Sequence, residues 1–115
     1  MEHELRCGNL QATVSEKGGT ATSLTYDEVP ILYSEKLIKG KLRGGCPICF
    51  PFFGEPKEEF AEIERHGWLR HQELETINLS DKEVEFLGRN EPIEQYPWKL
   101  EYKITVSISD SPTRL

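Results

Sequence analysis

One stretch, Arg43 to Arg70 (RGGCPICFPFFGEPKEEFAEIERHGWLR), restricts the fold of this 115-residue chain more than any other. Pro47, Pro51 and Pro56 each fix φ and remove a backbone donor, so neither a helix nor a long regular strand can run through them. The glycines between them allow abrupt changes of direction. The composition predicts a rigid, irregular loop with aromatic side chains packed beneath it and Arg43, Arg65, His66 and Arg70 at its polar tips. Loops held in this way on a β scaffold often carry function.

The rest of the chain reads as strand and turn. Glu4 to Val14 is a strand pair broken at Gly8-Asn9, with Leu10, Ala12 and Val14 alternating with polar neighbours. Lys17-Gly18-Gly19 is a turn, and Thr20 to Tyr26 is the next strand. Val29 to Leu32 is a short apolar strand that Pro30 places at an edge or a bend. Ser34 to Gly40 reads as one helical turn or a polar loop. Within the central stretch, Lys57 to Ile63 has helix-forming composition, with Phe60 and Ile63 on one face. Glu73 to Leu79 and Glu83 to Leu87 flank Ser80-Asp81-Lys82 as a hairpin. Trp98 to Ser109 alternates most cleanly, with Trp98, Leu100, Tyr102, Ile104, Val106 and Ile108 on one face. Short strands with almost no helix predict an antiparallel all-β fold in one domain spanning residues 1–115. A turn signal follows this strand at once, so its outer edge is expected to lack a neighbour within the chain.

Composition narrows the function classes. A net charge of −6 argues against nucleic acid or an anionic membrane as the main partner. No apolar run approaches the ~20 residues that a membrane-spanning helix needs. The polar, acidic start of the chain and three cysteines favour a reducing, cytoplasmic setting. Cys46-Pro47-Ile48-Cys49 has C-x-x-C spacing, but a zinc site needs a second ligand pair, which Cys7 and the scattered histidines do not form. A redox pair needs a helix after the first cysteine, and Phe50-Pro51-Phe52-Phe53-Gly54 blocks one. The cysteines are therefore read as buried or half-buried structural thiols, and no metal or cofactor is expected.

Two groups of polar residues remain. Arg65-His66-Gly67-Trp68-Leu69-Arg70 would place His66, Trp68 and Arg70 on one face if it entered a strand, giving an indole platform and a guanidinium fork suited to a sugar or an anion. The alternative is a His and an Arg satisfied by local carbonyls. Arg43-Gly44-Gly45 combines charge with close backbone approach, again suited to an anion, or else is a surface Arg at a turn.

Taken together, RGGCPICFPFFG followed by HGWLR resembles the paired signature of the aldose 1-epimerase-like proteins, specifically the hexose-6-phosphate mutarotase branch. The resemblance covers this whole chain but only the N-terminal part of a family member. It implies a partial domain of a galactose-mutarotase-like β supersandwich. It also implies an isomerase that interconverts the α and β anomers of a sugar or sugar phosphate, without a cofactor. By motif position it implies that Arg43 and Arg70 bind the phosphorylated sugar and that His66 orients it and assists catalysis. Arg65 stands where the family often has Gln, and can instead reach a phosphate. The family's acid and base lie in motifs further along than this chain extends, so the catalytic pair is unassigned, and His71 matches neither motif. The resemblance leaves three alternatives: a fragment, a non-catalytic carbohydrate-binding or assembly module, or a chain whose missing part a separate chain supplies; the open sheet edge is in addition expected to allow self-association or a partner chain.

Overall fold

The computed structural model describes residues 1–51, 53–58, 63, 65–94 and 96–109. Strands β1 (Glu2–Cys7), β2 (Leu10–Ser15), β3 (Ala21–Tyr26) and β4 (Val29–Pro30) form an antiparallel sheet in chain order. β5 (Lys36–Ile38) and β6 (Lys41–Arg43) form a separate hairpin. β7 (Glu75–Leu79), β8 (Glu83–Asn90) and β9 (Leu100–Ser107) form a three-stranded antiparallel sheet. The antiparallel all-β expectation therefore holds.

Alternation decides which face of each strand is buried. In β8, Val84, Phe86, Gly88 and Asn90 are buried and the residues between them are not, while β9 alternates half-buried with exposed. Leu5, Ala12 and Val14 of the first sheet meet Val84 and Phe86 of the last in one core, joined by Leu69 and Leu74. Leu5, Val14, Val84 and Phe86 are each 0% exposed, and burying such a side chain contributes about 1.5–3 kcal/mol. Ile48 and Phe50 of the proline-rich stretch pack against this core, as do Tyr102, Ile104, Val106 and Ile108. Ile108 N–H donates to the Lys82 carbonyl at 2.9 Å, extending the β8–β9 pairing by one step. β9 is the outer strand of its sheet among the described residues.

Three expectations need correction. Ser34 to Gly40 is neither helical nor a plain loop: Lys36–Ile38 pairs with Lys41–Arg43 around Lys39-Gly40, both of which adopt positive φ. That turn was hidden because Lys is not among the residues that usually take such a conformation. The strand expected at Val29 to Leu32 shrinks to Val29–Pro30, because proline lacks the N–H that would continue the ladder. Cys46 is exposed, whereas Cys7 is buried and Cys49 half-buried, so the thiol reading fails for Cys46. The helical turn expected at Lys57 to Ile63 falls largely outside the described residues.

Candidate functional site

The Arg43–Arg70 stretch is stitched to the sheets by its backbone. Gly44 has φ +82° and lies so close to the segment between β4 and β5 that a Cβ there would sit 2.4 Å from the Ser34 carbonyl oxygen. No side chain fits. The next amide, Gly45 N–H, donates to the Tyr33 carbonyl at 2.6 Å, and Cys46 exchanges backbone hydrogen bonds with Ala21. Arg43 is thereby fixed at the end of β6, above the edge of the first sheet.

The two halves of the signature are zipped directly to each other. The Phe50 carbonyl accepts from Trp68 N–H at 3.0 Å and Leu69 N–H at 3.3 Å, and Phe50 bridges to Gly67. A Cβ on Gly67, at φ +78°, would meet the Phe50 oxygen at 1.9 Å. One turn earlier, His66 N–H donates to the Gly54 carbonyl at 2.8 Å while Gly54 N–H donates to His66 Nδ1 at 2.9 Å. His66 itself holds φ +66°, uncommon for a residue with a side chain. Beneath this junction Phe50 packs edge-on to Trp68 at 6.0 Å and against Tyr102 at 5.9 Å. Phe53 does not join the packing: it is 86% exposed and lies beside the His66 ring at 5.3 Å.

These constraints bring Arg43, Arg65, His66 and Arg70 to the lining of a single hollow of about 990 Å³. Residues that sequence reading did not single out line it as well: Lys17, Thr20, Glu35, Lys41 and His71. Lys17 arrives because Gly18 N–H donates to the Gln72 carbonyl at 2.7 Å and Lys17 bridges to Glu73, which presses the β2–β3 turn against the end of the HGWLR segment. Lys41 arrives on the unforeseen hairpin. No local pattern marks Lys17, whose contacts are long-range, and Lys41 was missed because the Lys39-Gly40 turn lacks the usual turn residues. Among the described lining residues Lys17, Lys41, Arg43, Arg65 and Arg70 face the one carboxylate of Glu35. In a chain of net charge −6, this focuses positive potential into one concavity.

Two local readings also hold in part. Arg70 Nη2 donates to the Arg65 carbonyl at 3.0 Å, so one arm of its fork is engaged by backbone. Arg65 lies 3.7 Å from Glu55, both of them exposed, and such pairs contribute little. The expectation that His66, Trp68 and Arg70 share a face is overturned. The segment does not enter a strand but turns through Trp68 into a 3-10 turn, Leu69–His71. Trp68 faces a second hollow of about 410 Å³, with Gln72, Arg89, Asn90, Glu91, Ile93 and Tyr96. There it packs on Tyr96 at 5.0 Å, and Tyr96 on Trp98 at 4.9 Å.

Tyr102 links the aromatic layer to this second hollow. Its hydroxyl donates to Gln72 Oε1, and Gln72 Nε2 donates to the Arg89 carbonyl. Burial raises the Tyr102 phenol above its usual range, and the neighbouring Trp68 and Gln72 oppose that shift. The Trp68 indole N–H is buried and meets no acceptor in hydrogen-bond geometry among the described residues.

The aldose 1-epimerase family profile matches residues 1–114. The chain belongs to the aldose 1-epimerase family. Two solved structures share its fold. A galactose mutarotase related enzyme from Lactobacillus acidophilus superposes with a TM-score of 0.78 at 17% identity, over 95% of this chain and 39% of that one. A galactose mutarotase-like protein from Lactobacillus casei gives 0.80 at 19% identity, over 96% and 40%. This aldose 1-epimerase family chain thus spans about two fifths of the length of those structures, and its sheets match part of a galactose-mutarotase-like fold. A search of curated protein sequences finds no match.

Proposed function

We propose that the chain supplies the substrate-binding part of an aldose 1-epimerase acting on an anionic aldose, a hexose 6-phosphate. One observation carries the reading: the hollow assembled by the family's two motifs is lined by Arg43, Arg65 and Arg70 together with Lys17 and Lys41, against one carboxylate. A neutral sugar can accept hydrogen bonds there but has no charge to answer that excess. A phosphate dianion gains charge-assisted hydrogen bonds, two at a time where a guanidinium presents its fork. His66 contacts the sugar beside the phosphate.

Mutarotation requires an acid at the ring oxygen and a base at the anomeric hydroxyl, with the roles reversed on ring closure. We assign neither to the residues present. The reading is of a binding half-site, in the cytoplasm, whose acid and base come from elsewhere in the fold or from a partner chain. Anomer exchange of glucose 6-phosphate, followed by NMR with the 115-residue chain, separates the cases. Saturable binding with exchange no faster than in buffer is expected. Exchange above buffer would assign catalysis to this chain alone, and absence of binding would overturn the reading. Binding of glucose as tightly as of glucose 6-phosphate would favour a general carbohydrate-binding module instead.

A further inference from the structure

We infer that His66 meets its ligand as a fixed hydrogen-bond donor through Nε2–H, and that the Gly54 amide is the positioning group that makes it so. A backbone N–H has only a proton to offer, so the ring nitrogen 2.9 Å from Gly54 N must be an unprotonated acceptor. That nitrogen is Nδ1. A neutral imidazole carries one proton, which is therefore on Nε2. The reciprocal bond from His66 N–H to the Gly54 carbonyl, at 2.8 Å, closes a two-point clasp around the same residue. The clasp holds a backbone at φ +66° that a residue with a side chain seldom adopts. The exposed Phe53 ring lies 5.3 Å from the imidazole.

The consequence is chemical. Nδ1 is occupied, so the nitrogen left for a ligand in the hollow is Nε2, and it arrives bearing its proton. It cannot accept a proton there while neutral, which excludes His66 as the base that removes the anomeric hydroxyl proton. It selects instead an oxygen that accepts: a ring oxygen, the carbonyl of the open aldose, or a hydroxyl whose own proton is turned elsewhere. The identity of the ligand rests on the function proposed above, whereas the tautomer rests on the clasp alone.

The two parts are tested separately on the whole chain. Long-range nitrogen–proton NMR of the imidazole should show Nε2 protonated and Nδ1 bare, with a scalar coupling across the hydrogen bond from the Gly54 amide nitrogen to Nδ1. A proton on Nδ1 overturns the inference. For the ligand, His66→Asn tolerates positive φ and keeps an acceptor near the Gly54 amide but has no donor where Nε2 stood. Its affinity for glucose 6-phosphate should fall about three- to tenfold, the worth of a single neutral hydrogen bond. His66→Gln, whose amide nitrogen reaches the Nε2 position, should recover part of that loss. Unchanged affinity in His66→Asn overturns the donor contact. Failure of the unaltered chain to bind glucose 6-phosphate overturns the sugar reading and the ligand half of the inference with it, while the nitrogen spectrum still decides the tautomer.

Discussion

In the β7–β8–β9 sheet, side chains take their places by counting: every second residue of β8 is buried, and β9 answers it in register from Glu83 opposite Ser107 to Asn90 opposite Leu100. The Arg43–Arg70 stretch has no such period. Its side chains are placed by individual backbone hydrogen bonds and by two points, Gly44 and Gly67, where another chain segment leaves no room for a Cβ. The difference is one of redundancy. A ladder shares its stability over many equivalent bonds, so no single one sets the geometry. The irregular stretch depends on a few contacts, each of which positions a particular functional group.

Breaking the sheet should therefore abolish everything, whereas breaking the stretch should remove binding and spare the fold. Phe86→Ala tests the first half. Its side chain is 0% exposed at the centre of the core, and its loss should cost about 3–5 kcal/mol, read as a fall in the denaturant midpoint accompanied by loss of ligand binding. Gly67→Ala tests the second. Its Cβ would meet the Phe50 oxygen at φ +78°, and left-handed strain alone costs about 1–3 kcal/mol. Sugar-phosphate binding should disappear while the strand signal in circular dichroism persists. If both are lost together, the two regions are one cooperative unit and the contrast fails.

A finer cut falls inside the stretch itself. Arg70→Ala should weaken binding of glucose 6-phosphate by about 1.5–3 kcal/mol and of glucose by much less, measured by calorimetry. Equal losses would make Arg70 a structural residue held by the Arg65 carbonyl. The smallest effect lies in the sheets. Glu16 accepts from Thr76 Oγ1 at 2.5 Å, tying the turn after β2 to β7. That hydrogen bond is the largest cause that holds its carboxyl below 4.5, with the nearby N-terminus and His3 acting in the same sense and burial opposing them. A lowered folded-state pKa contributes stability that is fully present above the unfolded value and is lost as pH falls through the folded one. Thr76→Val should flatten the stability profile below about pH 4.5 and leave its shape near neutrality unchanged. An unaltered acid limb would show that the bond adds nothing.

Period-two alternation made one strand of each sheet legible in the sequence, because burial on one face of a strand demands it; that is why β2 and β9 lie close to where they were expected. Loop composition, not alternation, singled out Arg43, Arg65, His66 and Arg70, since charged groups on a proline- and glycine-rich loop have few reasons to be there. The hollow could not be read in that way. Lys17 and Glu35 join it through backbone contacts between residues far apart in the chain, Lys41 through a hairpin whose turn the sequence did not signal, and Trp68 leaves it because the segment turns where a strand would have run straight. The sequence by itself determined the sheet architecture and which motif residues carry the charge. Only the tertiary structure decided which of them face one another, because a loop without a repeat takes its direction from whatever it is bonded to.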